Sequence, residues 1–364
     1  MKTAGLFLIF TAGAAANPIY TIAGLAGIPG SATGYAINSS GNVAGWVQNP
    51  SGGQQAFVSG PGGMRAVSSS NYESYAYGIN SAGTVVGIAY DSNGQAHGTI
   101  WTAGGTTDLG AGSYAMGIND AGEVVGGNGN AFTVVNGQLQ SLGSAPGMNW
   151  SAAYAVSNTG AVVGDGQLTN GSFRAVVWNP DGSVTVLGTL GGTRSQGTAV
   201  NDSGDVAGFA SLADGYQNAF AEIGGMMIDL GTLGGGNSYA YGINDSRAVV
   251  GYSALADGSQ AAFLYEDGTL FNLNSLIPAN SGWDLLQAYG INDAGQITGV
   301  GLYDGQLTAF VLTDPLPGSA PVPEPRGLWW MTAILIAGAW LRSWRAIRAD
   351  GRAAFRIEAR RYRR

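Results

Sequence analysis

The sequence predicts an all-β fold: a seven-bladed β-propeller closed by pairing of its N- and C-terminal strands, with an N-terminal signal peptide and a C-terminal transmembrane helix. Three observations predict it. One eleven-residue motif returns seven times at starts 38–48 residues apart, the segments between copies read as short strands, and the strand type missing at the start is present at the end. Repeats of about 40–45 residues with four strands each are the signature of propeller blades.

The N-terminal segment 1–16 begins with Lys2, continues through the apolar run Ala4–Phe10 and ends in Ala14, Ala15 and Ala16. A charge, an apolar stretch and small residues in that order make a secretory signal peptide cleaved near Ala16.

The body, 17–315, holds the seven copies: YAINSSGNVAG (35–45), YGINSAGTVVG (77–87), MGINDAGEVVG (116–126), YAVSNTGAVVG (154–164), TAVNDSGDVAG (198–208), YGINDSRAVVG (241–251) and YGINDAGQITG (289–299). The heptapeptide SYAYGIN occurs twice, at 74–80 and 238–244. In YAYGI the alternation predicts a strand with Tyr75, Tyr77 and Ile79 on one face and Ala76 and Gly78 on the other. The small residues would let sheets approach, and the tyrosines and Ile would fill the space between them. NDAG predicts a tight hairpin loop and the Val-rich segment after it a return strand. Arg247 stands where the other turns have Gly, which predicts a strained turn or one of another type.

Two further strand types precede each hairpin. One carries an Ala-aromatic pair, as in QQAFVSG (54–60), NAFTVV (130–135) and NAFAEI (218–223); the other carries Leu-Gly or a relative, as in MIDLGTLGG (227–235) and FNLNSL (271–276). The body opens with a Leu-Gly segment, IYTIAGLAGIPG (19–30), and closes with an Ala-aromatic segment, TAFVLTD (308–314). Such a permutation lets the two ends complete one blade and leaves no open sheet edge.

After the body, 316–326 reads as a linker containing Val322, Pro323, Glu324 and Pro325, and 327–348 as a membrane helix with its basic cluster. The apolar run Gly327–Leu341 is bordered by Trp329, Trp330 and Trp340, and Arg342, Arg345 and Arg348 follow it. Indoles favour the membrane interface, and arginines hold their side in the cytoplasm. The remainder, 349–364, is then a basic cytoplasmic tail, and the body lies outside the inner membrane.

Residues 321–348 resemble the PEP-CTERM sorting signal of Gram-negative bacteria: a Pro-Glu-Pro motif, an apolar span and arginines in order. The resemblance implies recognition by an exosortase and release or anchoring at the cell surface, often in organisms that make exopolysaccharide. Members of that family usually stop soon after the basic cluster, whereas this chain continues through ADGRAAFRIEARRYRR. Over 19–314 the AF, DLGTLGG, S-YAYGINDAG and VVG segments resemble the HAF repeat of bacterial extracellular proteins. The resemblance implies a surface location and no defined chemistry. Of the histidine in that repeat's name, only His97 in AHGTIW remains.

Composition narrows the chemistry. Cysteine is absent, which excludes disulfides and thiolate metal sites. Residues 17–320 carry 20 Asp and Glu, four Arg and no Lys; such an acidic body excludes nucleic acid as an electrostatic partner. His97 is the only histidine, no G-x-S-x-G elbow accompanies it, and most acids repeat within the turns. No catalytic residue is therefore assigned, and no metal or cofactor. The one exception is weak Ca²⁺ binding at NDAGE (119–123) and NDSGD (201–205), which are fragments of a calcium loop without its full spacing. Trp46, Trp150 and Trp283 lie outside the shared pattern and are the candidate glycan-stacking residues, against core packing as the competing reading; Trp101 and Trp178 fit the pattern. The expectation is an exported protein of the cell surface or extracellular matrix, anchored in the inner membrane transiently or stably, with a non-enzymatic binding or structural role and exopolysaccharide as possible partner. The alternative is a propeller glycan hydrolase or lyase.

Overall fold

The Tyr-Gly-Ile and Val-Val-Gly segments pair as a tight hairpin, because the Asn-Asp-Ala-Gly loop between them is short and its glycine takes a left-handed conformation (φ +81° at Gly122). The Ala-aromatic segment adds as a third strand and the Leu-Gly segment as a fourth. A computed structural model describes residues 20–314, apart from 28–29, 61 and 69–71, and shows seven four-stranded sheets, all of their strand pairs antiparallel. The chain divides into two units, Met1–Gly318 and Ser319–Arg364, and all described residues lie in the first. The signal peptide, the linker with its Pro-Glu-Pro motif, the membrane span and the basic tail fall outside the described residues.

Blade two shows the pattern from the inside outward: Ser74–Ile79, Val85–Tyr90, Ala96–Thr102 and Gly105–Ala111. The blade thus starts at the Tyr-Gly-Ile strand, and the chain passes to the next blade after the Leu-Gly strand. Blade seven is completed from both ends of the body. Thr21–Gly24 pairs antiparallel with Gln306–Thr313, matching Thr21 to Thr313 and Gly24 to Phe310. The predicted closure is therefore present, as three strands from the C-terminal side and one from the N-terminal side.

The core lies between blades. Phe57, Phe132, Phe220, Phe263 and Phe310, one from the Ala-aromatic strand of five blades, are fully buried, as are the valines of the second strands. Serines at the start of the inner strands tie each blade to the one before. Ser74 Oγ accepts from Ala56 N–H at 3.0 Å, and Ser151, Ser195 and Ser238 repeat the contact to Ala131, Ala175 and Ala219. Between blades six and seven Asn274 substitutes, accepting from Leu285 N–H at 2.7 Å. That residue belongs to a short 3₁₀ helix, Leu273–Leu276, so the strand predicted over 271–276 ends at Asn272, whose side chain accepts from Asn274 N–H and caps the turn.

The inner strands do not alternate as predicted. In every blade the register slips by one residue, and Tyr35, Tyr77, Met116, Tyr154, Thr198, Tyr241 and Tyr289 have no partner across the ladder. A β-bulge re-aims the extra side chain, and here it aims toward the propeller axis. The tyrosines thus do not fill the space between sheets, which Ala76 and the phenylalanines occupy. The bulge also explains the glycine of Val-Val-Gly. A Cβ on Gly87 would lie 1.9 Å from Tyr75 O, and the same clash recurs in the other six blades. Gly78, by contrast, does allow sheets to approach: its Cβ would lie 3.3 Å from Ile118 Cγ2 of the next blade.

Candidate functional site

Seven bulged residues and seven turns converge on the axis and make three layers. At one mouth the bulged residues line a cavity of about 260 Å³. Below it Ile37, Ile79, Ile118, Val156, Ile243 and Ile291 border that cavity and a second one, and with Val200, which borders the second, they form an aliphatic collar. At the other mouth the turn residues line a cavity of about 240 Å³.

The turn mouth is a ring of hydrogen bonds between blades. Asn38 Nδ2 donates to Asn80 O at 3.0 Å, Asn80 to Asn119 O at 3.2 Å and Asn119 to Ser157 O at 3.0 Å. The ring resumes with Asn201 to Asn244 O, Asn244 to Asn292 O and Asn292 to Asn38 O. Ser157 interrupts it, having no amide to donate. A second circle uses the next residue. The N–H of Ser81, Asp120, Asn158, Asp202 and Asp245 each donates to the side-chain oxygen of Asp120, Asn158, Asp202, Asp245 or Asp293 in the following blade, at 2.7–2.9 Å. These acids are therefore acceptors that hold blades together. Among the described residues, no group of three His, Asp or Glu is arranged to hold a metal ion. At NDAGE (119–123), Asn119 Oδ1 accepts from Glu123 N–H and Glu123 Oε1 from Thr133 Oγ1.

Arg247 keeps the turn geometry of its glycine relatives: its N–H donates to Asn244 O at 2.9 Å with φ +66°. The turn is strained and of the same type. Its guanidinium reaches the preceding blade, with Nε 2.8 Å from Oδ2 of buried Asp205.

The opposite mouth is aromatic. Tyr35 contacts Tyr77 and Tyr289, with ring centres 5.3 and 5.0 Å apart, and Tyr289 contacts Tyr241 at 5.1 Å. The chain of rings runs on through Tyr252, Tyr239 and Phe209 on one side, and through Tyr75 to Trp46 and Tyr90 on the other. Arg194 links Phe209 to Phe173, and Phe173 meets Trp150 edge-on at 6.0 Å. The belt thus crosses every blade except blade three, where Met116 and Gly127 stand in place of rings. Burial holds the hydroxyls of Tyr77, Tyr241 and Tyr289 protonated well above the usual phenol range, reinforced by their phenolic neighbours. Burial also pushes Tyr75 up, to about 12, with the charge of Glu73 adding to it.

Below the belt, in blade four, Tyr154 donates to Asp165 Oδ1 at 3.0 Å. Asp165 is only 2% exposed. Desolvation raises its carboxyl to about 6, although the Tyr154 hydrogen bond and the Arg194 charge oppose the rise.

Of the candidate stacking residues, Trp46 and Trp150 lie at the two arms of this belt. Trp46 Nε1 donates to Tyr35 OH at 3.3 Å. Trp283 stands apart, against Tyr303 and Phe310 of blade seven. All three are half-buried, whereas Trp101 and Trp178 are core residues. His97 lies in blade two, where Nδ1 pairs with Asp108 at 2.9 Å beside a cavity of about 320 Å³.

Sequence reasoning missed the bulged tyrosines as axis-lining groups, and missed Asp165, Phe173 and Arg194 altogether. A signal existed. The residue after Val-Val-Gly is Trp46, Ile88, Gly127, Asp165, Phe209, Tyr252 or Val300, variable where its surroundings repeat, and in three blades it touches the bulged tyrosine.

No family model and no curated protein sequence matches the chain. Among solved structures, it is similar to a gluconolactonase from Xanthomonas campestris, with 13% identity, TM-score 0.42 and coverage of 84% of this chain and 94% of that one. It is similar to TolB from Acinetobacter baumannii, with 12% identity, TM-score 0.46 and coverage of 76% and 64%. It is also similar to the Aleuria aurantia lectin, with 10% identity, TM-score 0.35 and coverage of 68% and 97%. Likenesses of this degree say nothing of activity.

Proposed function

We propose that the protein is exported and sorted to the cell surface through its Pro-Glu-Pro segment and C-terminal span, and that its propeller binds a glycan chain at the aromatic mouth without cleaving it. The observation that carries the binding reading is the continuous belt from Trp150 to Trp46, made of rings that present flat apolar faces and phenol hydroxyls together. Sugars offer the complement: a C–H face to stack and hydroxyls to hydrogen-bond. A purely architectural ring would be built of repeated residues alone, but the belt joined to this mouth adds Trp46, Trp150, Phe173 and Arg194, which occur in single blades. Exopolysaccharide is the glycan expected at the surface of such a cell.

The hydrolase or lyase alternative has one observation in its favour. Asp165 keeps its proton up to about pH 6 and meets Tyr154, which lines the same mouth, and a raised carboxyl is what a general acid needs.

The test is retention of the purified protein on the host's own exopolysaccharide, with release of reducing ends measured in parallel. Retention without release is the expected result. Release of sugar overturns the non-enzymatic assignment, and failure of both overturns glycan binding. For sorting, Glu324→Ala is expected to leave the protein in the inner membrane. Unchanged surface display of that variant overturns the exosortase route.

A further inference from the structure

Positive charge is scarce in the propeller, so where it stands is informative. Among the described residues the cationic side chains other than His97 are Arg65, Arg174, Arg194 and Arg247. Arg247 is paired with Asp205, and Arg174 donates to the carbonyls of Phe173 and Thr193. Arg194 is in none of the ion pairs of the described residues. Its guanidinium sits over two rings, 5.2 Å from the centre of Phe173 and 6.0 Å from that of Phe209, and gives one hydrogen bond, to Gln196 Oε1 at 3.2 Å.

Two consequences follow from that geometry. The rings restrain the guanidinium, so little side-chain freedom remains to be lost on binding an anion. The group is also exposed, so its remaining N–H donors are reachable from solvent. Phe173, the ring under the guanidinium, meets half-buried Trp150 edge-on with ring centres 6.0 Å apart. A ligand satisfying both needs a flat apolar face and a planar anion that a guanidinium grips with two bonds. A uronic acid has both, on one ring. The four aspartates of the turn circle lie at the opposite mouth, beyond the aliphatic collar. Physiological salt screens charges beyond about 8 Å, so they oppose an acidic chain only weakly at this rim.

We propose that Trp150, Phe173 and Arg194 form a subsite for the acidic unit of a glycan, with the sugar face on Trp150 and its carboxylate on Arg194. This inference rests on the glycan-binding reading and specifies the class of glycan.

The test is calorimetric titration of the full-length protein with three probes: oligogalacturonate, the same oligosaccharide after carboxyl reduction, and a neutral galactan carrying sulfate esters. Wild type is expected to bind the uronate at least about tenfold tighter than its reduced form, the effect of a charged hydrogen-bonded pair. Arg194→Met keeps the bulk against the rings and is expected to abolish that preference, so that the acid and reduced probes bind alike. Arg194→Lys is expected to retain part of it. Equal affinity for the acid and reduced probes, or an unaltered preference in Arg194→Met, overturns the acidic subsite and leaves glycan binding intact. A preference for the sulfated galactan over the uronate overturns the carboxylate assignment. Binding of no saccharide at all overturns both.

Discussion

Asn292 Nδ2 donates to the carbonyl of Asn38 at 2.9 Å, joining residues 254 positions apart in the chain. The bond links blade seven to blade one, and it belongs to the same circle as the bonds between consecutive blades. The ring is therefore closed twice, by the strand pairing of blade seven at the rim and by asparagine at the axis.

Asn292→Ala removes this bond together with the two turn bonds its Oδ1 accepts from Ala294 and Gln296 N–H. A loss of about 3 kcal/mol is expected, because three hydrogen bonds of a buried side chain are lost together, although Asn38 O keeps the N–H of Gly41. Denaturant unfolding followed by tryptophan fluorescence reads it.

Ser157→Asn restores the missing link, giving Asn201 O the donor that the other blades supply. A gain of about 1 kcal/mol is expected in the same assay. A loss would mean that the fourth turn cannot hold the larger side chain.

Gly87→Ala places a Cβ 1.9 Å from Tyr75 O. More than about 3 kcal/mol of destabilisation is expected, because backbone rather than a movable side chain is in the way. Gly94→Ala is the control: a turn glycine with φ +75° and no atom within 4 Å of its Cβ. Only the modest cost of a left-handed alanine, about 1 kcal/mol, is expected there.

Arg247 separates strain from charge. Arg247→Ala loses the ion pair to Asp205 and keeps φ +66°, whereas Arg247→Gly loses the pair and relieves the backbone. The glycine variant is expected to be the more stable of the two by about 1–2 kcal/mol.

Asp165 makes stability depend on pH in an unusual direction. Its folded carboxyl titrates near 6 and its ordinary value is 3.8. Between these values the folded chain holds a proton that the unfolded chain has lost, so stability rises as pH falls from about 6 toward 4. The full effect is about 3 kcal/mol, and above pH 6 it appears as a constant penalty. Asp165→Asn keeps an acceptor for Tyr154 and removes the charge. It is expected to be more stable than wild type at pH 7 and to lack this slope in a series of thermal melts.

The architecture was legible because it is written in repetition. Seven copies, the Ala-aromatic strand at 308–314 and the Leu-Gly strand near 21 were enough to infer a closed ring. The bulges were not legible, since YAYGI alternates as a regular strand would, and only the carbonyl of Tyr75 lying against Gly87 shows why glycine is needed. The aromatic mouth was half legible. Trp46 and Trp150 stood out as departures from the repeat, but Phe173 and Arg194 join them only because neighbouring blades bring distant residues together. Asp120, Asp202, Asp245 and Asp293 were readable as turn residues, and their role between blades depends on the curvature of the ring.

The central claim is that ligand enters at the aromatic mouth and not at the aspartate mouth. Calorimetric titration of the host exopolysaccharide into two double variants tests it most directly. Tyr77→Ala with Tyr289→Ala removes the middle of the belt. Asp120→Asn with Asp293→Asn alters the opposite mouth and keeps its acceptors, as Asn158 already does at 2.9 Å. Loss of binding in the tyrosine variant and wild-type binding in the aspartate variant is the predicted result. Wild-type binding in the tyrosine variant, with loss in the aspartate variant, would contradict it.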